Sequence, residues 1–123
     1  MKSRSLKIIV VTCLMLLAAQ SSAWAHAFLD HAEPKVGSDN DKAPMKVKIW
    51  FTEAIEPEFS AIEVADADGK KVDKKDSHVD DADKTLLIVS LTDKLPPGTY
   101  SVTWHVVSTD THKTHGTFKF TVK

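Results

Sequence analysis

Histidines are the side chains in this 123-residue sequence best suited to chemistry, because a neutral imidazole binds metal ions and exchanges protons near neutral pH. The sequence holds six of them: His26, His31, His78, His105, His112 and His115. The only cysteine, Cys13, lies close to the N-terminus, and neither a G-x-S-x-G motif nor a glycine-rich phosphate loop is present. These features direct attention to a metal site built from nitrogen and oxygen donors.

Asp110 and His112 are the first pair that could share a metal ion. A spacing of two residues in an extended chain places both side chains on the same face. A carboxylate oxygen and an imidazole nitrogen would then point towards one ion. His115 follows three residues later, where it is either a further ligand or a solvated loop histidine.

The first 25 residues have the pattern of a cleaved signal peptide. Three basic residues precede an apolar stretch over residues 8–19, and Ala23-Trp24-Ala25 supplies a small-x-small cleavage site. The apolar stretch is short for a membrane span, although an uncleaved anchor is the alternative. Cleavage after Ala25 would leave residues 26–123 as one exported domain that begins with His26.

Composition excludes several function classes for residues 26–123. Three of the 16 Lys and Arg residues, and none of the 17 Asp and Glu residues, fall within the first 25 positions, so acidic side chains outnumber basic ones by four in the remainder. A mildly acidic domain lacks the basic face that nucleic acid requires. No second apolar stretch is present. The processed chain is therefore predicted to be soluble and not membrane-embedded. A monomer is expected.

An N-terminal His26 would carry two metal donors, its free α-amine and its imidazole Nδ1. The amine has a pKa of about 7.7–8.0, so a metal ion displaces its proton easily near neutral pH. Two nitrogens in one plane suit Cu(II), which also binds such donors most tightly among the divalent metals. Phe28 at the third position excludes the amino-terminal chelate that needs histidine there. Loss of Cys13 with the signal peptide excludes a thiolate site. A thioether-rich site is excluded because Met45 is the single remaining methionine.

Apolar residues alternate with polar ones at a period of two, which predicts β-strands. Strands are expected over residues 46–51, 59–64, 86–91, 100–106 and 118–122, whereas residues 77–84 are expected to form a loop. Alternation with Trp104 and Val106 predicts that His105 faces outward, and His78 is expected to be exposed in the acidic loop. Short strands at regular spacing without an amphipathic helix predict an all-β antiparallel sandwich with Greek-key connections.

Three segments resemble the CopC family, copper resistance protein C and its YobA-like relatives. They are HAFLDHAEPKVGS from His26, VKIWFTEAIEPEFS, and PPGTYSVTWHVVSTDTHKTHGTFKFTV. The resemblance implies an Ig-like or cupredoxin-like sandwich in the periplasm that binds one Cu(II) ion. It carries ligand roles onto His26, Asp110 and His112, with Glu53 as an additional or outer-shell carboxylate. It also implies a CopD-type inner-membrane copper transporter as a partner.

The chain departs from that family at three places. Phe28 stands where many relatives have histidine, and Thr111 replaces the glycine of a D-G-H motif, so the local turn is expected to differ. A methionine-rich stretch is absent, which points to the Cu(II)-only subclass. His31 and His115 are further candidates for additional or outer-shell contacts, although direct ligation by His31 is disfavoured.

Three function classes follow. The favoured one is a non-enzymatic Cu(II) binder for sequestration, delivery or resistance. A small histidine-brace copper oxidase is the enzyme alternative, but 98 residues leave little room for a substrate face and Asp110 would fill the open coordination position. A metal-free structural or adhesion sandwich is the third.

Overall fold

The computed structural model describes residues 26–123, which form eight β-strands and one short 3₁₀ turn. The strands are β1 (Leu29–Glu33), β2 (Asp39–Asn40), β3 (Lys46–Phe51), β4 (Ala61–Ala65), β5 (His78–Val79), β6 (Leu86–Ser90), β7 (Gly98–Val107) and β8 (Lys113–Val122), and the 3₁₀ turn covers Pro57–Phe59. No helix within 26–123 is long and apolar enough to cross a membrane. The predicted signal peptide over residues 1–25 lies outside the described residues.

Two four-stranded sheets pack face to face. One sheet has the order β1-β3-β6-β5 and the other β2-β8-β7-β4. This is the ABED and CFG arrangement of an Ig-like sandwich, with β2 added beside the last strand. The predicted all-β sandwich is confirmed. Its strands pair antiparallel except β2, which runs parallel to β8 over two residues and so corrects the purely antiparallel expectation.

Strand positions follow the sequence pattern where alternation is strong. Residues 46–51 form β3 as predicted, whereas the strand expected from residue 59 begins at Ala61, because Pro57 starts a 3₁₀ turn. Strand β8 begins at Lys113, five residues earlier than expected. Its first five residues, 113–117, carry no apolar side chain, so the alternation of apolar and polar residues that predicts a strand is absent there. Residues 77–84, expected to form a loop, contain the two-residue strand β5.

The core lies between the inner faces of the two sheets. Phe51 of β3 meets Trp104 of β7 edge to face, with ring centroids 5.1 Å apart. At the opposite end of β7, the Tyr100 hydroxyl donates a hydrogen bond of 2.6 Å to the carbonyl of Pro96, the tyrosine corner of Ig-like folds. Burial raises the pKa of Tyr100, which keeps this hydroxyl a donor.

Gly116 makes room for the indole of Trp104. The two residues are cross-strand partners on β8 and β7, and a Cβ at position 116 would lie 2.6 Å from Trp104 Cζ2. Real atoms do not approach so closely, so a side chain here would displace the ring that contacts Phe51. A glycine in this strand therefore serves packing rather than backbone flexibility.

We expect Gly116→Ala to lower the free energy of unfolding by about 1–3 kcal/mol, because it overpacks a buried ring. Urea denaturation of the variant measures the change. Trp104→Phe removes the crowded atoms, so adding it to Gly116→Ala should cost less than the sum of the single changes. Additive losses, or an alanine variant as stable as the parent, would contradict this account.

Candidate metal centre

Three chain segments meet at one end of the sandwich and form the candidate site. They are residues 26–28 before β1, the loop that follows β3, and the β7–β8 loop over residues 108–112. Antiparallel pairing explains the meeting, because Leu29 at the start of β1 lies opposite Phe51 at the end of β3. The β7–β8 hairpin joins the same end, where the Thr109 amide donates to the Ala54 carbonyl.

Residues 26–28 are held between the two sheets by a buried side chain and by hydrogen bonds. Ala27 is 0 % exposed, and its carbonyl accepts a 2.5 Å bond from the hydroxyl of Thr114 on β8. The Phe28 amide donates to Thr52 Oγ1 at 3.0 Å, and the Thr52 amide donates to the Phe28 carbonyl at 2.8 Å. Thr52 Oγ1 also donates to the His26 carbonyl at 3.4 Å. His26 is therefore fixed beside the core.

The anchored segment of residues 26–28 places the His26 imidazole against that of His112. Their ring centroids lie 4.5 Å apart with planes inclined by 28°, a stacked pair contributed by opposite ends of the described chain. His26 also lies 5.9 Å from the ring of Phe28, which is 54 % exposed. The imidazoles of His26, which is half-buried, and His112, which is exposed, thus lie side by side at this end of the sandwich.

Asp110 is oriented by its neighbours and faces His112. The Ser108 hydroxyl donates a short hydrogen bond to Asp110 Oδ1, and Asp110 Oδ2 lies 3.1 Å from His112 Nδ1. The hydrogen bond from Ser108 lowers the pKa of Asp110, and His112 lowers it further, while desolvation acts in the opposite direction. The carboxylate therefore stays ionised well into the acid range. When His112 Nδ1 carries the proton donated to Asp110, the lone pair is on Nε2.

Thr111 occupies a strained position between these two residues. Its φ is 74°, in the left-handed region that favours glycine and is unusual for a β-branched side chain. Its amide donates to the Ser108 carbonyl at 2.8 Å, which closes the turn. The sequence predicted a different local turn because Thr111 replaces glycine. Thr111 adopts a backbone conformation that glycine would adopt without strain.

The imidazole and carboxylate groups at this end are chemically suited to bind a metal ion, but they are not arranged around one common centre. Within residues 26–123, no group of three or more His, Cys, Asp or Glu side chains is arranged to hold a metal ion. Stacked rings hold their nitrogen lone pairs in nearly parallel planes, so both cannot point to one centre. A shared ion would require both imidazole rings to rotate about their side-chain bonds.

The other candidates occupy different places. Glu53 is exposed in the loop next to Thr52, and no hydrogen bond or ion pair in the described part of the chain joins its carboxylate to the histidine pair. His31 stacks on Trp50 at 4.4 Å on the outer face of its sheet, with its Nδ1 2.7 Å from Asp30. His115 lies on β8, opposite His105 of β7.

Sequence reasoning missed the residues that position the site. Thr52 and Thr114 hold the terminal segment, and Ser108 orients Asp110. Threonine and serine are common in strands and loops, so composition gives no signal for these roles. Thr52 lies within the segment VKIWFTEAIEPEFS, which carries the family resemblance, but no role was predicted for it.

We expect Thr52→Val to free the terminal segment without unfolding the sandwich. Loss of the hydroxyl removes the acceptor for the Phe28 amide, worth about 0.5–1.5 kcal/mol, so exchange of that amide should accelerate about tenfold. Nuclear magnetic resonance would measure the exchange and the proximity of the His26 and His112 rings. Thr117→Val is the matched control, since in the described part of the chain its hydroxyl forms a hydrogen bond only with that of the exposed Thr103. Unchanged exchange at Phe28 would show that Thr52 does not hold the terminus.

The fold and site together define a small Ig-like sandwich that gathers imidazole and carboxylate donors at one end. Residues 29–123 match the CopC domain family. The chain belongs to this family, as its sequence motifs indicated.

Three similar proteins resemble this chain over most of their length. Protein YobA of Escherichia coli (strain K12) is 39% identical over 102 residues, which cover 83% of this chain and 82% of YobA. The crystal structure of CopC from Methylosinus trichosporium OB3b matches with a TM-score of 0.74 and 31% identity, covering 80% of this chain and 94% of that one. PcoC, a methionine-rich copper resistance protein from Escherichia coli, matches with a TM-score of 0.71 and 31% identity, covering 80% of this chain and all of PcoC.

Proposed function

We propose that this protein binds one Cu(II) ion at the end of the sandwich where His26 meets His112. The ligands are the α-amine and imidazole of His26, the imidazole of His112 and the carboxylate of Asp110. The 4.5 Å stacking of His26 on His112, beside an Asp110 carboxylate held by Ser108, is the observation that carries the proposal. It joins two nitrogen-bearing residues that are 86 positions apart in sequence.

The donor set selects the oxidation state. Three nitrogens and one oxygen suit the tetragonal geometry of Cu(II), whereas Cu(I) prefers sulfur ligands. Met45 is the only sulfur-bearing residue in 26–123, and it lies exposed on the chain before β3. The lowered pKa of Asp110 keeps its carboxylate ionised, and therefore available as the oxygen donor.

The amine ligand requires a free N-terminus at His26. We therefore propose that residues 1–25 are a signal peptide removed after Ala25, and that the domain over residues 26–123 acts in the periplasm. Burial of Ala27 supports this division, because it fixes the new terminus against the folded domain. A terminus left mobile would place its amine near the ring of His112 only transiently.

The names of related proteins support a role in copper handling. Relatives include copper resistance proteins and the copper transport protein CutJ of Bacillus subtilis. We propose that the chain sequesters or delivers Cu(II), with a CopD-type membrane transporter as the acceptor. Asp110 would fill the fourth coordination position, so the site is suited to holding and transferring the ion rather than to catalysis.

The decisive experiment adds one alanine before His26. This residue converts the terminal amine into a peptide nitrogen, a far poorer donor, while every side chain is retained. We expect Cu(II) affinity to fall at least about a hundredfold, or about 2.8 kcal/mol, in competition titrations with a chelator of known affinity. Equal affinity and an unchanged electron paramagnetic resonance spectrum in the extended protein would refute the terminal chelate.

His112→Ala tests the second imidazole. We expect a loss of Cu(II) affinity of about a hundredfold with little change in stability, because His112 is exposed and its side chain contributes nothing to the core. His78→Ala is the control, as His78 is also exposed, on β5, and within residues 26–123 its ring bonds only to the nearby Asp76 carbonyl. Retention of parental affinity in His112→Ala would remove His112 from the site.

A further inference from the structure

His105 and His115 form a histidine pair that the proposed Cu(II) site does not use. They are direct cross-strand partners on β7 and β8, and both side chains are exposed on the outer face of the sheet. Their inward neighbour Trp104 is buried in the core, so the strand pleat fixes the outward direction of the pair. His105 faces outward, as its alternation predicted.

The spacing of the pair suits chelation. Opposite residues on antiparallel strands have Cβ atoms about 4.5–5.5 Å apart. A metal bound at about 2.0–2.1 Å from each nitrogen needs the two nitrogens roughly 3 Å apart, which two imidazoles on such positions can reach by side-chain rotation. Neither ring takes part in a hydrogen bond, ion pair or ring contact within residues 26–123. No local interaction therefore opposes that rotation.

The surroundings of the pair favour a cation. Both rings line an open groove of about 990 Å³, together with Glu56, Glu58 and Lys113. Two carboxylates against one ammonium give the charged lining a net charge of −1 when the histidines are neutral. Glu63 of β4 is ion-paired with Lys71 at 2.8 Å and does not line the groove. Its pKa is lowered mainly by Lys71, with a smaller contribution from His105.

We propose that His105 and His115 together bind a second divalent transition-metal ion, of the imidazole-preferring class that includes Cu(II), Ni(II) and Zn(II). Two imidazole nitrogens are the only protein ligands, since no third His, Cys, Asp or Glu of residues 26–123 completes a cluster with them. Water fills the remaining positions. With half the protein donors and no terminal amine, this site is weaker than the one at His26.

This second site stands independently of the terminal chelate. The pair is set by strand register and not by processing of the chain, so it exists whether or not His26 carries a free amine. The groove borders the β7–β8 turn through Thr111 and Lys113. The two sites thus flank one hairpin, one at its tip and one on its outer face.

The test is a Cu(II) titration of the processed protein with isothermal calorimetry, alongside His105→Gln and His115→Gln. We expect two binding events in the parent. Each glutamine variant should lose the weaker event, with its affinity reduced at least tenfold, and keep the tighter one. His78→Gln is the control and should keep both. Circular dichroism checks that each variant remains folded.

The outcomes separate this proposal from the Cu(II) site at His26. A weaker event that persists unchanged in both glutamine variants, or its absence in the parent at millimolar free Cu(II), would overturn the second site. Loss of all binding in His105→Gln, with retention in His112→Ala, would instead support the second site and refute the first. Paramagnetic broadening of the His105 and His115 ring signals by the second equivalent would identify its ligands directly.

Discussion

The burial of Ala27 is the constraint on which the candidate metal centre depends. This small side chain is inaccessible to solvent, and its carbonyl is bound by Thr114 from one sheet while Thr52 from the other sheet binds the next residue. Ordering an irregular segment costs about 1–2 kcal/mol of backbone entropy per residue. Here, hydrogen bonds to Thr114 on β8 and to Thr52 directly after β3 offset that cost, so residues 26–28 become part of the folded domain.

The β7–β8 turn provides a second constraint, because a strained backbone conformation at Thr111 positions Asp110 and His112. Thr111 adopts a left-handed conformation that costs a β-branched residue about 1–2 kcal/mol. Ser108 bonds the backbone of His112 and the carboxylate of Asp110, and so fixes the turn from inside. The hairpin on either side is ten residues long on each strand, which gives it enough pairing to tolerate the strain.

The sandwich places its histidines by two different mechanisms. His26 and His112 lie on irregular segments, and side-chain hydrogen bonds to loops bring them together. His105 and His115 lie on regular strands, where register alone sets their separation. Residues on loops can bring together ligands from distant parts of the sequence, as His26 and His112 do. Residues on paired strands, such as His105 and His115, have a rigid spacing but supply few donors. The β7–β8 hairpin contributes to both arrangements, because it carries His112 in its turn and His105 and His115 on its strands.

The sequence by itself determined the all-β class, the main strands and the donor types, because alternation at a period of two and the histidine count are local properties. It also marked His26, Asp110 and His112 through motifs. Only the tertiary structure decided that His26 stacks on His112 and that His115 pairs with His105. It also decided that Thr52 and Thr114 hold residues 26–28 in place. The start of strand β8 was not predicted, because residues 113–117 contain no apolar side chain. Contacts between residues far apart in sequence depend on strand pairing and register, which no local pattern of residues specifies.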